Sequence, residues 1–124
     1  MTIISSSSAP VFELPGLRFT GLASPRRGAR ETCTWRIRMD GDTPPTFHRV
    51  TREEIFVALS GTARVHLNGA TYDLAAGDAA IIPPDTDFAL ANAGDEPFEA
   101  VVVFPVGGQA VVPGEAPFTP PWAE

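Results

Sequence analysis

Between Glu31 and Met39 the chain alternates: Cys33, Trp35, Ile37 and Met39 fall on one side, Thr32, Thr34, Arg36 and Arg38 on the other. A period of two marks a β-strand with one buried face. No stretch sustains a helical period, and Pro and Gly recur every few residues, leaving only short β-prone runs between them. The runs Leu17 to Leu22, Glu54 to Leu59, Ala63 to Leu67, Ala70 to Leu74, Ala79 to Ile82, Phe88 to Asn92 and Phe98 to Phe104 predict further strands. Strands at this spacing, with little or no helix, predict an all-β sandwich or barrel.

The punctuation is informative in itself. Asn68-Gly69 predicts a two-residue hairpin turn, because both residues tolerate the positive φ of type I′. Ala75 to Asp78 and Asp40 to Pro45 read as turns, and Pro83-Pro84 closes a strand. The pattern divides the chain into an N-terminal extension (1–16), a barrel (17–112) and a Pro-rich tail (113–124). The tail holds four prolines and cannot enter a sheet interior. It is expected as an extended strap anchored by Phe118 and Trp122, on its own barrel or on a second subunit.

Composition narrows the function classes. The 124 residues, 44% apolar and 19% charged, suit one soluble domain with its own core. A net charge of −6 argues against nucleic acid, whose binding needs clustered Lys and Arg. Arg26, Arg27 and Arg30 are too few to reverse that balance and read as a solvated loop. The single cysteine, Cys33, lies on the buried face of its strand and reads as a structural thiol. No basic leader precedes an apolar run and no run is long enough to span a bilayer, so the expected setting is cytoplasmic, with no membrane partner.

The chemistry gathers between Phe47 and Asn92. Glu54, six residues and Gly61 follow His48; Gly77, five residues and Pro83 precede Asn92. This spacing resembles the two motifs of the cupin superfamily, whose pattern places metal-binding histidines and a glutamate around a barrel pocket. His48 and Glu54 match that pattern. Val50 stands at the second histidine position, Phe88 at the histidine of the second motif, and Asp85 at a usual glycine. The resemblance covers roughly 35–105. It implies a single cupin-type β-barrel, a double-stranded β-helix of jelly-roll kind, with a degenerate metal site.

One imidazole and one carboxylate make a poor metal site, since a protein-held transition metal wants three or four donors. No cofactor is therefore expected; a divalent metal, if one binds, is held weakly by His48 and Glu54. His66 shares a strand face with Arg64 opposite Ala63, Val65 and Leu67, which puts it outside. Asp85 and Asp87 read as solvated loop acids. Trp35, Phe47, Phe56 and Phe88 are candidate pocket walls, with Val50 adding apolar surface. Arg36 and Arg38 belong outside their strand; turned inward, they would clamp an anion.

The leading expectation is a small-molecule-binding protein whose pocket is lined by His48, Glu54 and apolar residues. The alternative is a metal-independent isomerase, cyclase or lyase with His48 as base and Glu54 as its partner. A third is an atypical metal-dependent enzyme. A homodimer is expected from exposed strand edges and the aromatic tail.

Overall fold

The computed structural model describes all 124 residues. Eleven strands follow in order: β1 (Val11–Leu14), β2 (Leu17–Ala23), β3 (Thr32–Met39), β4 (Arg49–Val50), β5 (Glu54–Ser60), β6 (Thr62–Leu67), β7 (Ala70–Ala75), β8 (Ala79–Ile82), β9 (Phe88–Ala91), β10 (Phe98–Pro105) and β11 (Ala110–Val111). The only helical pieces are single 3₁₀ turns at Pro25–Arg27 and Pro121–Ala123. No helix is long and apolar enough to cross a membrane. Six strands form an antiparallel sheet in the order β1-β2-β3-β10-β5-β8, three form a second in the order β7-β6-β9, and β11 pairs with β4. The sheets close on one core as a small barrel, so the expected all-β architecture with almost no helix is the observed one.

The alternation in β3 holds in full. Cys33, Trp35, Ile37 and Met39 are buried, and both arginines point to solvent, Arg36 lying 3.8 Å from Glu99. That position removes the alternative of an inward anion clamp. On β10, Phe98, Ala100, Val102 and Phe104 face the core, and on β5 Glu54, Phe56 and Ala58 do the same. From the smaller sheet, Ala63, Val65, Leu74, Phe88 and Leu90 join the same apolar cluster.

The turns behave as their residues dictate. Asn68 and Gly69 take φ of 48° and 84°, the values a type I′ turn needs, and Leu67 pairs with Ala70 across it. Gly61 has φ 74°, and a Cβ there would strike the Pro97 carbonyl, so no other residue fits between β5 and β6. Asp85, standing at a usual glycine position, is held at φ 56°.

Three features depart from the sequence reading. Residues 11–14, inside the expected extension, form β1 and pair with β2 through a Pro15-Gly16 turn with Gly16 at φ 74°. Arg27 is tucked in rather than solvated: its Nε donates to the Leu22 carbonyl at 3.1 Å, and its Nη2 is buried without a partner. Phe47 is 48% exposed and packs edge-on to His66 on the outer surface, so it is no pocket wall.

The tail packs on its own barrel. Phe118 exchanges backbone hydrogen bonds with Ala110. Trp122 stacks face to face on Phe19 with ring centres 3.7 Å apart, and its edge meets Phe12. The Cys33 thiol donates to the Ala123 carbonyl at 3.6 Å and Ser24 Oγ to the Glu124 carbonyl at 2.8 Å. Trp122 is the anchor, whereas Phe118 remains 39% exposed.

Candidate functional site

The barrel interior opens into a cavity of about 730 Å³. Its walls are mostly apolar, and they include Trp35, Val50, Phe56 and Phe88, the four apolar residues expected there. His48 and Glu54 line the same cavity, so the sequence-predicted set comes together in one place.

Glu54 is the first residue of β5 and shares its inward face with Phe56 and Ala58. The residue is 6% exposed, and its carboxyl makes no hydrogen bond within the protein and borders the cavity. Burial pushes its pKa from 4.5 to about 8, because a lone carboxylate loses its hydration there. At neutral pH the group is therefore a carboxylic acid with a proton to give.

His48 sits just before β4, where its backbone exchanges two hydrogen bonds with Phe88, at 3.0 and 3.1 Å. Its Nδ1 lies 3.2 Å from the Thr46 carbonyl. A carbonyl only accepts, so Nδ1 carries the hydrogen and Nε2 is left with a lone pair. The ring packs on Phe88 with centres 4.3 Å apart. Burial lowers the pKa of His48 below its ordinary 6.5, opposed by the Thr46 hydrogen bond. The neutral tautomer is thus favoured at pH 7.

The two polar residues share the cavity without touching. Thr46 rather than Glu54 partners the imidazole, and neither pKa shift owes anything to the other group. The expected mutual pair is instead two independent groups, a buried acid and a neutral base.

Several lining residues escaped the sequence reading. Met39, Leu90 and Phe104 complete the inner wall, and the Leu14-to-Leu17 turn and the tail residues Pro120 and Trp122 close one side. The inward parity of Met39 and Phe104 is a usable signal; nothing local marks Trp122. Asp40 and Asp42 stand at the rim.

His66 lies outside the cavity, as its strand face predicts, in a shallow outer hollow with Arg64 and Asn92. Asp87 takes a two-pronged contact from Arg49, at 2.6 and 3.3 Å, and that hydrogen bonding lowers the carboxyl's pKa. Asp85 is exposed. Neither aspartate replaces a missing ligand.

The residues present do not fit a resident divalent ion. Nowhere do three His, Cys, Asp or Glu side chains gather, and the fully buried ring of Phe88 packs directly against His48. Two donors leave a transition metal short of a protein-held coordination shell.

A family model for the cupin domain matches residues 34–104. No curated protein matches the sequence. Among solved structures, the polyketide cyclase RemF from Streptomyces resistomycificus is similar with a TM-score of 0.78 and 17% identity, over 94% of this chain and 87% of that one. An RmlC-like cupin from Shewanella frigidimarina gives 0.72 and 17%, over 83% of this chain and 88% of the other. KdgF from a Halomonas species gives 0.69 and 20%, over 85% and 94%. Identities this low speak for the fold alone.

Proposed function

The chain belongs to the cupin domain family, and on that premise we propose that it binds a small, largely apolar organic molecule inside its barrel. One observation carries this reading. The cavity of about 730 Å³ is walled mostly by aliphatic and aromatic side chains around the half-buried His48 and the buried Glu54. Ligand sites of about 300–1,000 Å³ with few convergent polar groups have this make-up. Glu54 offers a proton and His48 Nε2 a lone pair, enough to orient a ligand. None of the 26 lining residues is Lys or Arg, so the site has no counter-charge for a phosphate or carboxylate.

The test uses Nile red, a neutral apolar dye of suitable size. Saturable binding at one dye per chain is expected, together with its weakening in Val50→Trp, which narrows the cavity. Binding that never saturates, or that survives Val50→Trp unchanged, would sink the reading.

A second reading is favoured by the contrast between an acid held protonated and a base held neutral in one cavity. Such a pair can move a proton on a bound carbonyl compound, as in isomerisation, cyclisation or elimination. The likeness to a polyketide cyclase agrees with that chemistry without assigning it. His48→Ala separates the readings: turnover lost with binding retained supports an enzyme, and binding lost alone supports a binding protein.

The proposal extends to a homodimer. Ile55, Val57, Ile81, Val101 and Val103 point outward from β5, β8 and β10, and the register sets Ile55 beside both Ile81 and Val103. Ile81 is 60% exposed. An apolar row on an outer sheet face suits a second copy of the chain. A single species of monomer mass in sedimentation at micromolar concentration would remove this part.

A further inference from the structure

We propose that the ligand of this cavity is an organic cation, an amine or quaternary ammonium compound, met by the Glu54 carboxylate and the surrounding aromatic faces. The inference rests on the binding reading above and adds the charge of the ligand.

The acidic groups facing the cavity have no basic counterpart. Asp40 and Asp42 stand at its rim and Glu54 on its inner wall, with no basic residue opposite them. His48 is the remaining titratable group of the lining, and its Nδ1–H is spent on the Thr46 carbonyl. The inward residues of β10 and β8 are all apolar, and on β3 only Cys33 titrates, its thiol turned to the tail. An anion finds nothing to replace its hydration there.

Glu54 is the second part of the argument. The residue is more than nine-tenths buried, and its carboxyl, with no partner in the protein, borders the space a ligand would fill. Buried polar groups are otherwise almost always satisfied. The aromatic rings are the third part. Phe56 lies two residues along the same inward face of β5, Phe88 is edge-on to it at 6.2 Å, and Trp35 completes the group. Ring faces carry the negative part of the π quadrupole, and aromatic enclosures hold quaternary ammonium groups.

The empty cavity holds Glu54 as a neutral acid, so its burial is tolerated without a counter-ion. Arrival of a cation changes that balance. The carboxyl O–H bond breaks, its proton passes to solvent, and the carboxylate pairs with the incoming charge. The binding event is cation plus Glu54 carboxylic acid giving the ion pair plus one released proton, with no other co-reactant.

Three probes of one shape test it: benzyltrimethylammonium, its neutral isostere neopentylbenzene, and the anion phenylmethanesulfonate, each displacing Nile red from the full chain. The cation is expected to bind at least about tenfold tighter than the neutral isostere, and the anion not at all. Calorimetry at pH 7 in buffers of different ionisation enthalpy should show release of close to one proton with the cation and none with the neutral probe. Glu54→Gln should lose the preference for the cation, so that benzyltrimethylammonium and neopentylbenzene bind that variant within about twofold of each other. A neutral probe that binds as tightly as the cation, or cation binding with no proton released, overturns the proposal and leaves the binding reading intact. Absence of Nile red binding together with all three probes overturns both.

Discussion

Two buried polar residues, at opposite ends of the barrel, have opposite surroundings. Asn92 is 1% exposed and fully engaged: Nδ2 donates to the carbonyls of Glu96 at 2.7 Å and Met39 at 3.4 Å, and Oδ1 accepts from the Gly94 N–H at 3.2 Å. Those bonds tie the loop between β9 and β10 to the end of β3. Glu54 is 6% exposed and engages nothing. The first residue ties a loop to a strand, and the second has no such bond to make within the chain. Burial alone does not separate a structural polar group from a functional one; the hydrogen-bond inventory does.

The comparison can be tested hardest by giving Glu54 partners. Val50→His with Phe88→His adds two imidazoles where the family pattern has them. Equilibrium dialysis should show Zn²⁺ affinity rising on the order of a thousandfold or more over the unaltered protein. No gain would mean that Glu54 does not aim where the pattern implies.

Next in size is the pH dependence of stability. Glu54 keeps its proton in the folded state up to about pH 8, whereas the unfolded chain releases it near 4.5. Its contribution to stability is thus full below pH 4.5 and falls as pH rises, flattening above 8, by a total on the order of 5 kcal/mol. His48 acts in the opposite sense below 6.5, since burial lowers its pKa. The difference between the unaltered protein and Glu54→Gln in urea unfolding at pH 5 and pH 8 isolates the Glu54 effect. A constant difference would remove the claim of a buried, unpaired acid.

Asn92→Ala should then cost about 2–3 kcal/mol, because it strands buried backbone groups. Denaturant midpoints would check it, and a loss no larger than that of a surface substitution would erase the contrast with Glu54. The smallest effect belongs to a third kind of polar group, paired but exposed. Arg49→Gln breaks the contact with Asp87, yet both side chains are about half exposed, so calorimetry should find Tm nearly unchanged.

What was legible in the sequence follows from the range of the forces involved. Trp35, Phe56 and Glu54 could be oriented because side-chain direction alternates along a strand, and Asn68-Gly69 because a turn is a local matter. Phe47 was misread because it lies in the segment before β4, outside any regular strand whose parity could orient it. The β1 hairpin was missed because four residues carry too little pattern beside a Pro-Gly turn. Trp122 as a cavity wall was beyond reach, since its place depends on contacts with Phe19 and Trp35, far off in sequence. The separation of His48 from Glu54 was hidden for a related reason: the irregular stretch from Thr51 to Glu53 interrupts the parity between them.

The chain has two tryptophans, Trp35 and Trp122, and both line the cavity, while the single tyrosine, Tyr72, is exposed on β7. Indole emission from this protein therefore originates entirely at the walls of one cavity. The protein carries its own optical reporter, and an unlabelled compound that enters should change the colour or yield of that emission before its chemistry is known.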